Sequence, residues 1–96
     1  MGTPFQELQR NGAPAACRGE WPLTDAATCY DVDKLRNCIY ARLGYDFPKS
    51  PQWRTAFDRE PWYRVDPAFD WDNVTPIQAQ NAKALKGIVR RKLCRS

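Results

Sequence analysis

The chain contains no histidine, a single methionine and no apolar run long enough to cross a membrane. Without histidine it lacks the usual general base, the His-dependent nucleophile triads and the commonest zinc ligand. Its five glycines form no phosphate-cradling loop, and no serine sits in a nucleophile motif. The four cysteines include no close-set CxxC pair, the usual sign of a metal site. No segment alternates apolar and polar residues as a half-buried strand would. These absences argue against an enzyme, a metal centre and a β-fold, and no cofactor is expected.

What is present describes one small folded domain. Ninety-six residues give a core with little stability to spare. A hydrophobic fraction of 43%, with four Trp, four Tyr and four Phe, separates the chain from disordered sequences. Fifteen basic against eleven acidic residues leave a net charge of +4, below what nucleic-acid binding requires.

Cys17, Cys29, Cys38 and Cys94 are even in number and widely spread, which favours two disulfides and an oxidising compartment. Three pairings are possible. Cys17 with Cys94 and Cys29 with Cys38 fits best, if Cys94 projects from the polar side of its helix. Cys17 with Cys29 and Cys38 with Cys94 is nearly as good. Export implies a signal peptide already removed, so Met1-Gly2 reads as an added start.

Residues 1–29, with Pro4, Gly12, Pro14, Gly19 and Pro22, read as an irregular N-terminal arm, and residues 30–96 as a helical domain. Asp31 is the expected N-cap of a first helix from Val32 to Leu43, and Gly44 its left-handed stop. Ser50-Pro51 is a start signal for a second helix to Arg59, burying Trp53, Ala56 and Phe57. Residues 62–74 are irregular and aromatic. Thr75-Pro76 repeats the start signal and opens the longest helix, to Leu93, with Ile77, Ala84, Leu85, Ile88 and Val89 on its apolar face. The expected fold is all-α: about three helices with long irregular loops, stapled by disulfides.

The stretch LRNCIYARLGYDF, then Phe57, Pro61-Trp62-Tyr63 and Asn81 in a final helix, resembles the bacterial YARHG domain. The signature here reads Tyr40-Ala41-Arg42-Leu43-Gly44, with leucine in place of the family's histidine. The likeness runs from about Tyr30 to Leu85. It implies an extracellular or periplasmic setting, as a module of secreted or lipid-anchored proteins, and supplies no reaction. Leu43 argues against any role that depends on the missing histidine.

Arg42 falls on the same helical face as Leu35, Cys38 and Ile39. It is therefore expected to cross the core edge and satisfy loop carbonyls or clamp a loop carboxylate, with Asp46, Asp58, Asp66 or Asp70 as the candidate acidic partners. Its truncation would then cost roughly 3–5 kcal/mol. The competing reading makes Arg42 an anion-binding group. Arg36 and Tyr40, one turn apart, are a surface stack or a ligand contact. Asn37 and Asn81 are read as satisfied structural polar groups. Trp53, Trp62, Tyr63 and Trp71 are read first as core, since a domain this small needs its large rings inside, with stacking on a sugar as the competing reading. Trp62 and Tyr63, in a loop, are the best candidates for partial exposure. The basic C-terminal run IVRRKLCRS reads as helix-dipole compensation, not a nucleic-acid or membrane patch.

The functional expectation is a non-enzymatic exported module that binds peptidoglycan or another envelope protein, through some of Arg36, Tyr40, Arg42, Trp62 and Tyr63. The alternatives are a structural domain of a larger secreted protein, with no ligand of its own, or a small secreted enzyme inhibitor.

Overall fold

The computed structural model describes residues 8, 9, 17 and 27–95. Most of the expected N-terminal arm lies outside the described residues. Three α-helices follow in order: α1 (Cys29–Arg42), α2 (Pro51–Asp58) and α3 (Pro76–Arg90), with a short 3-10 turn at Trp71–Asn73. Among the described residues the only β-type pairing is an isolated parallel bridge between Thr28 and Arg95. The fold is all-α, with long loops and two disulfides.

α1 is the central helix. It packs mainly on α3 and to a lesser extent on α2. This is why its buried residues, Val32, Leu35, Asn37, Cys38, Ile39 and Ala41, cover more than one stripe. α3 contributes Asn81, Ala82, Leu85 and Ile88, and Trp53 and Phe57 complete the core from α2. Ile77, Ala84 and Val89, expected on the apolar face of α3, are only half-buried.

The start of α1 corrects the sequence reading. Thr28, not Asp31, is the N-cap, and Asp31 sits three residues in as the other half of a capping box. Thr28 Oγ1 accepts from Asp31 N–H at 3.0 Å, and Asp31 Oδ2 accepts from Thr28 N–H at 3.1 Å. Two orphan helix donors are thereby satisfied, and the helix opens three residues early. α3 opens the same way, through Thr75 and Gln78. Ser50 makes no side-chain capping bond, so α2 starts on the fixed φ of Pro51 alone.

Gly44 stops α1 as expected. Tyr45 N–H reaches back to Tyr40 O at 3.2 Å, and Gly44 N–H to Ala41 O at 3.0 Å, with Gly44 at φ +94°. This is the Schellman arrangement. α3 ends identically, through Leu93 to Ile88 and Lys92 to Val89, but with Lys92 in the left-handed conformation. Its helix therefore stops at Arg90, short of the expected Leu93.

The disulfides join Cys17 to Cys38 and Cys29 to Cys94, neither of the pairings favoured by the sequence. The early start of α1 explains the difference. Cys29 and Cys38 lie on one helix nine positions apart, about 13 Å along the axis, beyond any disulfide. Arg95, next to Cys94, pairs with the backbone at the head of α1, since Cys29 N–H donates to Arg95 O at 2.7 Å. Cys94 therefore meets Cys29, with their Cα atoms 5.0 Å apart. Cys38 is left for Cys17, which is buried in the core.

Candidate functional site

Arg42 does not clamp anything. It is exposed, and it has no hydrogen bond or ion pair among the described residues. The carboxylates expected to hold it serve their own segments. Asp58 pairs with Arg54 at 3.0 Å, Asp66 Oδ1 accepts from Ala68 N–H at 2.8 Å, and Asp70 Oδ1 from Asp72 N–H at 2.9 Å. Asp46 is exposed on the loop after α1. Arg42 occupies the last position of α1, where the packed stripe has run out and a cation complements the unpaired carbonyls.

Tyr63 is likewise not a surface group. It is buried, and its hydroxyl donates to Tyr45 O at 2.6 Å. Burial pushes its phenol pKa up, and the guanidinium of Arg54, 5.9 Å from the ring centre, pulls the other way. Trp62 is half-buried against Phe57. The aromatic exposed at a groove is Trp71, with 54% of its surface open to solvent. Three rings hold it: Tyr45 at 4.9 Å, Phe69 at 5.0 Å and Tyr40 at 5.2 Å between centroids. Such packing fixes the indole as a rigid platform and leaves the remaining surface for a ligand.

Both asparagines are satisfied structural groups. Asn37 Nδ2 donates to Asp33 O one turn back, at 2.9 Å. Asn81 has no exposed surface. It grips the backbone of Gln9 at both ends, accepting from Gln9 N–H at 2.8 Å and donating to Gln9 O at 2.7 Å. An α3 side chain thereby pairs with a residue of the N-terminal arm as a strand neighbour would.

Arg36 and Tyr40 come together with residues far away in sequence. They line an open groove of about 440 Å³ with Trp71, Val74, Ala79, Ala82, Lys83 and Lys86. That volume falls within the range of small-ligand sites, about 300–1,000 Å³. Arg36 is turned into place by Asp33, whose Oδ1 accepts from Nε at 3.0 Å and Nη2 at 2.7 Å. Lys83 and Lys86 are exposed, with no acidic partner among the described residues. Arg42 projects about 120° round α1 from Arg36 and takes no part. Trp62 and Tyr63 pack around Phe57, away from the groove. Of the five candidates named from sequence, the groove gathers Arg36 and Tyr40.

The sequence offers Trp71 only as one of four large aromatics read first as core, and it does not single out Lys83 or Lys86. A usable signal existed, because residues 73–96 hold six of the fifteen basic side chains and none of the eleven acidic ones. Lysines at i and i+3 without nearby acids have no helical ion pair to make.

No cluster of three or more metal-binding side chains occurs among the described residues, and no helix among them is long and apolar enough to cross a membrane. The groove's chemistry is that of an aromatic platform beside exposed cations, suited to holding a ligand with a flat face and a negative charge.

Comparison with curated proteins and with solved structures gives no match. The family model described as the YARHG domain matches residues 22–90. That span takes in both buried asparagines, the Schellman turn at Gly44 and every groove residue, so the chain belongs to the YARHG domain family.

Proposed function

We propose that this chain is a non-enzymatic binding module of an exported bacterial protein, and that its groove holds the parent protein to peptidoglycan. One observation carries the reading: an exposed indole locked by three rings beside two lysines that have no acidic partner among the described residues. A flat exposed ring stacks on the C–H face of a sugar, and burial of that face is what an aromatic platform contributes. The two disulfides support the oxidising compartment that such a role needs. Co-sedimentation with purified cell-wall sacculi is the test. The wild-type chain should be retained at low salt. Trp71→Ala should be lost to the supernatant while its helical circular dichroism stays native. A wild-type chain that stays in the supernatant would reject the reading.

A second reading, a structural domain with no ligand of its own, draws on the family signature itself. Ala41 is buried and Gly44 forms the helix stop, so those signature positions serve folding. The same sedimentation separates the two readings, because a purely structural domain binds no sacculi with or without Trp71.

A further inference from the structure

The lysines of the groove belong to a longer feature. Lys83, Lys86 and Arg90 stand at i, i+3 and i+7 on α3, within about 60° of one another round the axis. They form one stripe, about 10 Å long at 1.5 Å per residue. Lys83 and Lys86 also line a second, larger groove of about 870 Å³, which runs on to Gly87, Arg90 and Arg91. They are therefore the ridge between two depressions, and the positive lining is continuous past the end of the Trp71 site. Arg91 is partly occupied at home, with Nε donating to Gly87 O at 3.2 Å. The stripe itself has no ion pair among the described residues.

Nothing on its own element neutralises it, since no acidic residue occurs after Asp72. Among the described residues, the acidic side chains near the groove are committed elsewhere: Asp33 to Arg36, and Asp70 to the backbone of Asp72. Asp72 borders Trp71 in the 3-10 turn and is exposed. An occupant held only by the Trp71 groove would need one or two charges. A stripe three cations long, opening at an aromatic platform, matches a ligand that repeats its negative charge.

From this we infer the ligand class: an acidic glycan–peptide polymer, with a sugar ring on Trp71 and successive carboxylates along Lys83, Lys86 and Arg90. This rests on the peptidoglycan reading above and names the part of the polymer that gives specificity. Peptide-stem carboxylates, not the neutral sugar backbone, set the affinity. Because the cations are exposed, attraction is screened by salt and acts over about 8–10 Å.

The test compares native sacculi with sacculi whose carboxylates have been converted to neutral amides, using the intact, oxidised chain. Retention on amidated sacculi should fall about tenfold or more, and retention on native sacculi should fall steeply with salt. Lys83→Gln/Lys86→Gln/Arg90→Gln should lose native sacculi to the same extent, and Lys83→Arg/Lys86→Arg should keep them. All these positions are partly or fully exposed, so the variants fold. Equal retention on native and amidated sacculi would overturn the carboxylate assignment and leave the binding module standing. No retention on either would remove both. Anionic phosphatidylglycerol vesicles serve as a control surface. If the chain binds them as tightly as native sacculi, with the same loss on the triple substitution, the stripe reads a membrane and the polymer assignment fails.

Discussion

At the scale of single residues, the family signature divides into parts with different physical duties. Gly44 is indispensable for a backbone reason. A Cβ built there would lie 2.8 Å from Asp66 N and collide with the Asp66 Cβ, in a conformation that L-residues rarely adopt. Gly44 O also accepts from Asp66 N–H at 2.9 Å, so the close approach is itself part of the fold. The Arg42 side chain, two residues earlier, makes no hydrogen bond or ion pair among the described residues. Thermal unfolding should therefore separate the two. Arg42→Ala should stay within about 0.5 kcal/mol of wild type, while Gly44→Ala should cost about 1–3 kcal/mol or more. A large loss from Arg42→Ala would restore the internal clamp that the sequence suggested. Tyr63 gives a pH-dependent prediction. Its folded pKa is raised by burial, so the unfolded state ionises first as pH climbs past the ordinary tyrosine value of about 10. The stabilisation is fully present below that value and is lost as pH rises through the higher folded value. Tyr63→Phe should cost about 1 kcal/mol near neutrality, for the bond to Tyr45 O. It should also flatten the alkaline fall in stability measured by denaturant titration, and an unchanged fall would assign that fall to other groups.

At the scale of elements, α1 organises the molecule, and both disulfides and one asparagine exist to tie other segments to it or to α3. Cys29–Cys94 spans 65 positions and joins the head of α1 to the tail of α3, whereas Cys17–Cys38 spans 21 and joins the arm to mid-α1. By loop entropy these are worth about 4 and about 3 kcal/mol. Replacing Cys29 and Cys94 together by Ala should thus lower stability by roughly 1 kcal/mol more than replacing Cys17 and Cys38, in equilibrium urea unfolding. The opposite order would mean that attachment of the arm governs the fold. Asn81 is a second attachment of that arm, through the backbone of Gln9. Asn81→Ala strands both Gln9 groups and should cost roughly 1–3 kcal/mol. Hydrogen exchange at the Gln9 amide should speed up far more than exchange within α1, and an unaltered Gln9 amide would contradict the pairing.

At the scale of the whole molecule, charge and covalent topology matter more than any single contact. The six basic groups after Asp72 leave the rest of the chain slightly acidic, so the domain is electrically polar, with its excess positive charge carried by α3 and the residues after it. Intact mass of the non-reduced protein should be four hydrogens below the all-thiol value, since both disulfides are formed and no cysteine is free among the described residues. Four free thiols would remove the oxidising compartment and, with it, the envelope setting.

Local chemistry accounts for what the sequence by itself determined. Capping residues, Pro at the first helical turn, Gly44 at a helix end and apolar spacing act within a few residues of one another. They sufficed for the three helices and the lack of strands among the described residues, the loops between them and the family. Even the error at the start of α1 was local, because Asp31 serves equally as N-cap or as the far half of a capping box, and only Thr28 decided between them. Tertiary structure alone decided the rest. Cysteine pairing depended on which helix end meets which, Trp71 rather than Trp62 or Tyr63 became the ring exposed at the groove, and Arg42 was left outside. Each outcome turns on what covers a face, and a helical face is buried only where another segment, distant in sequence, comes to lie against it.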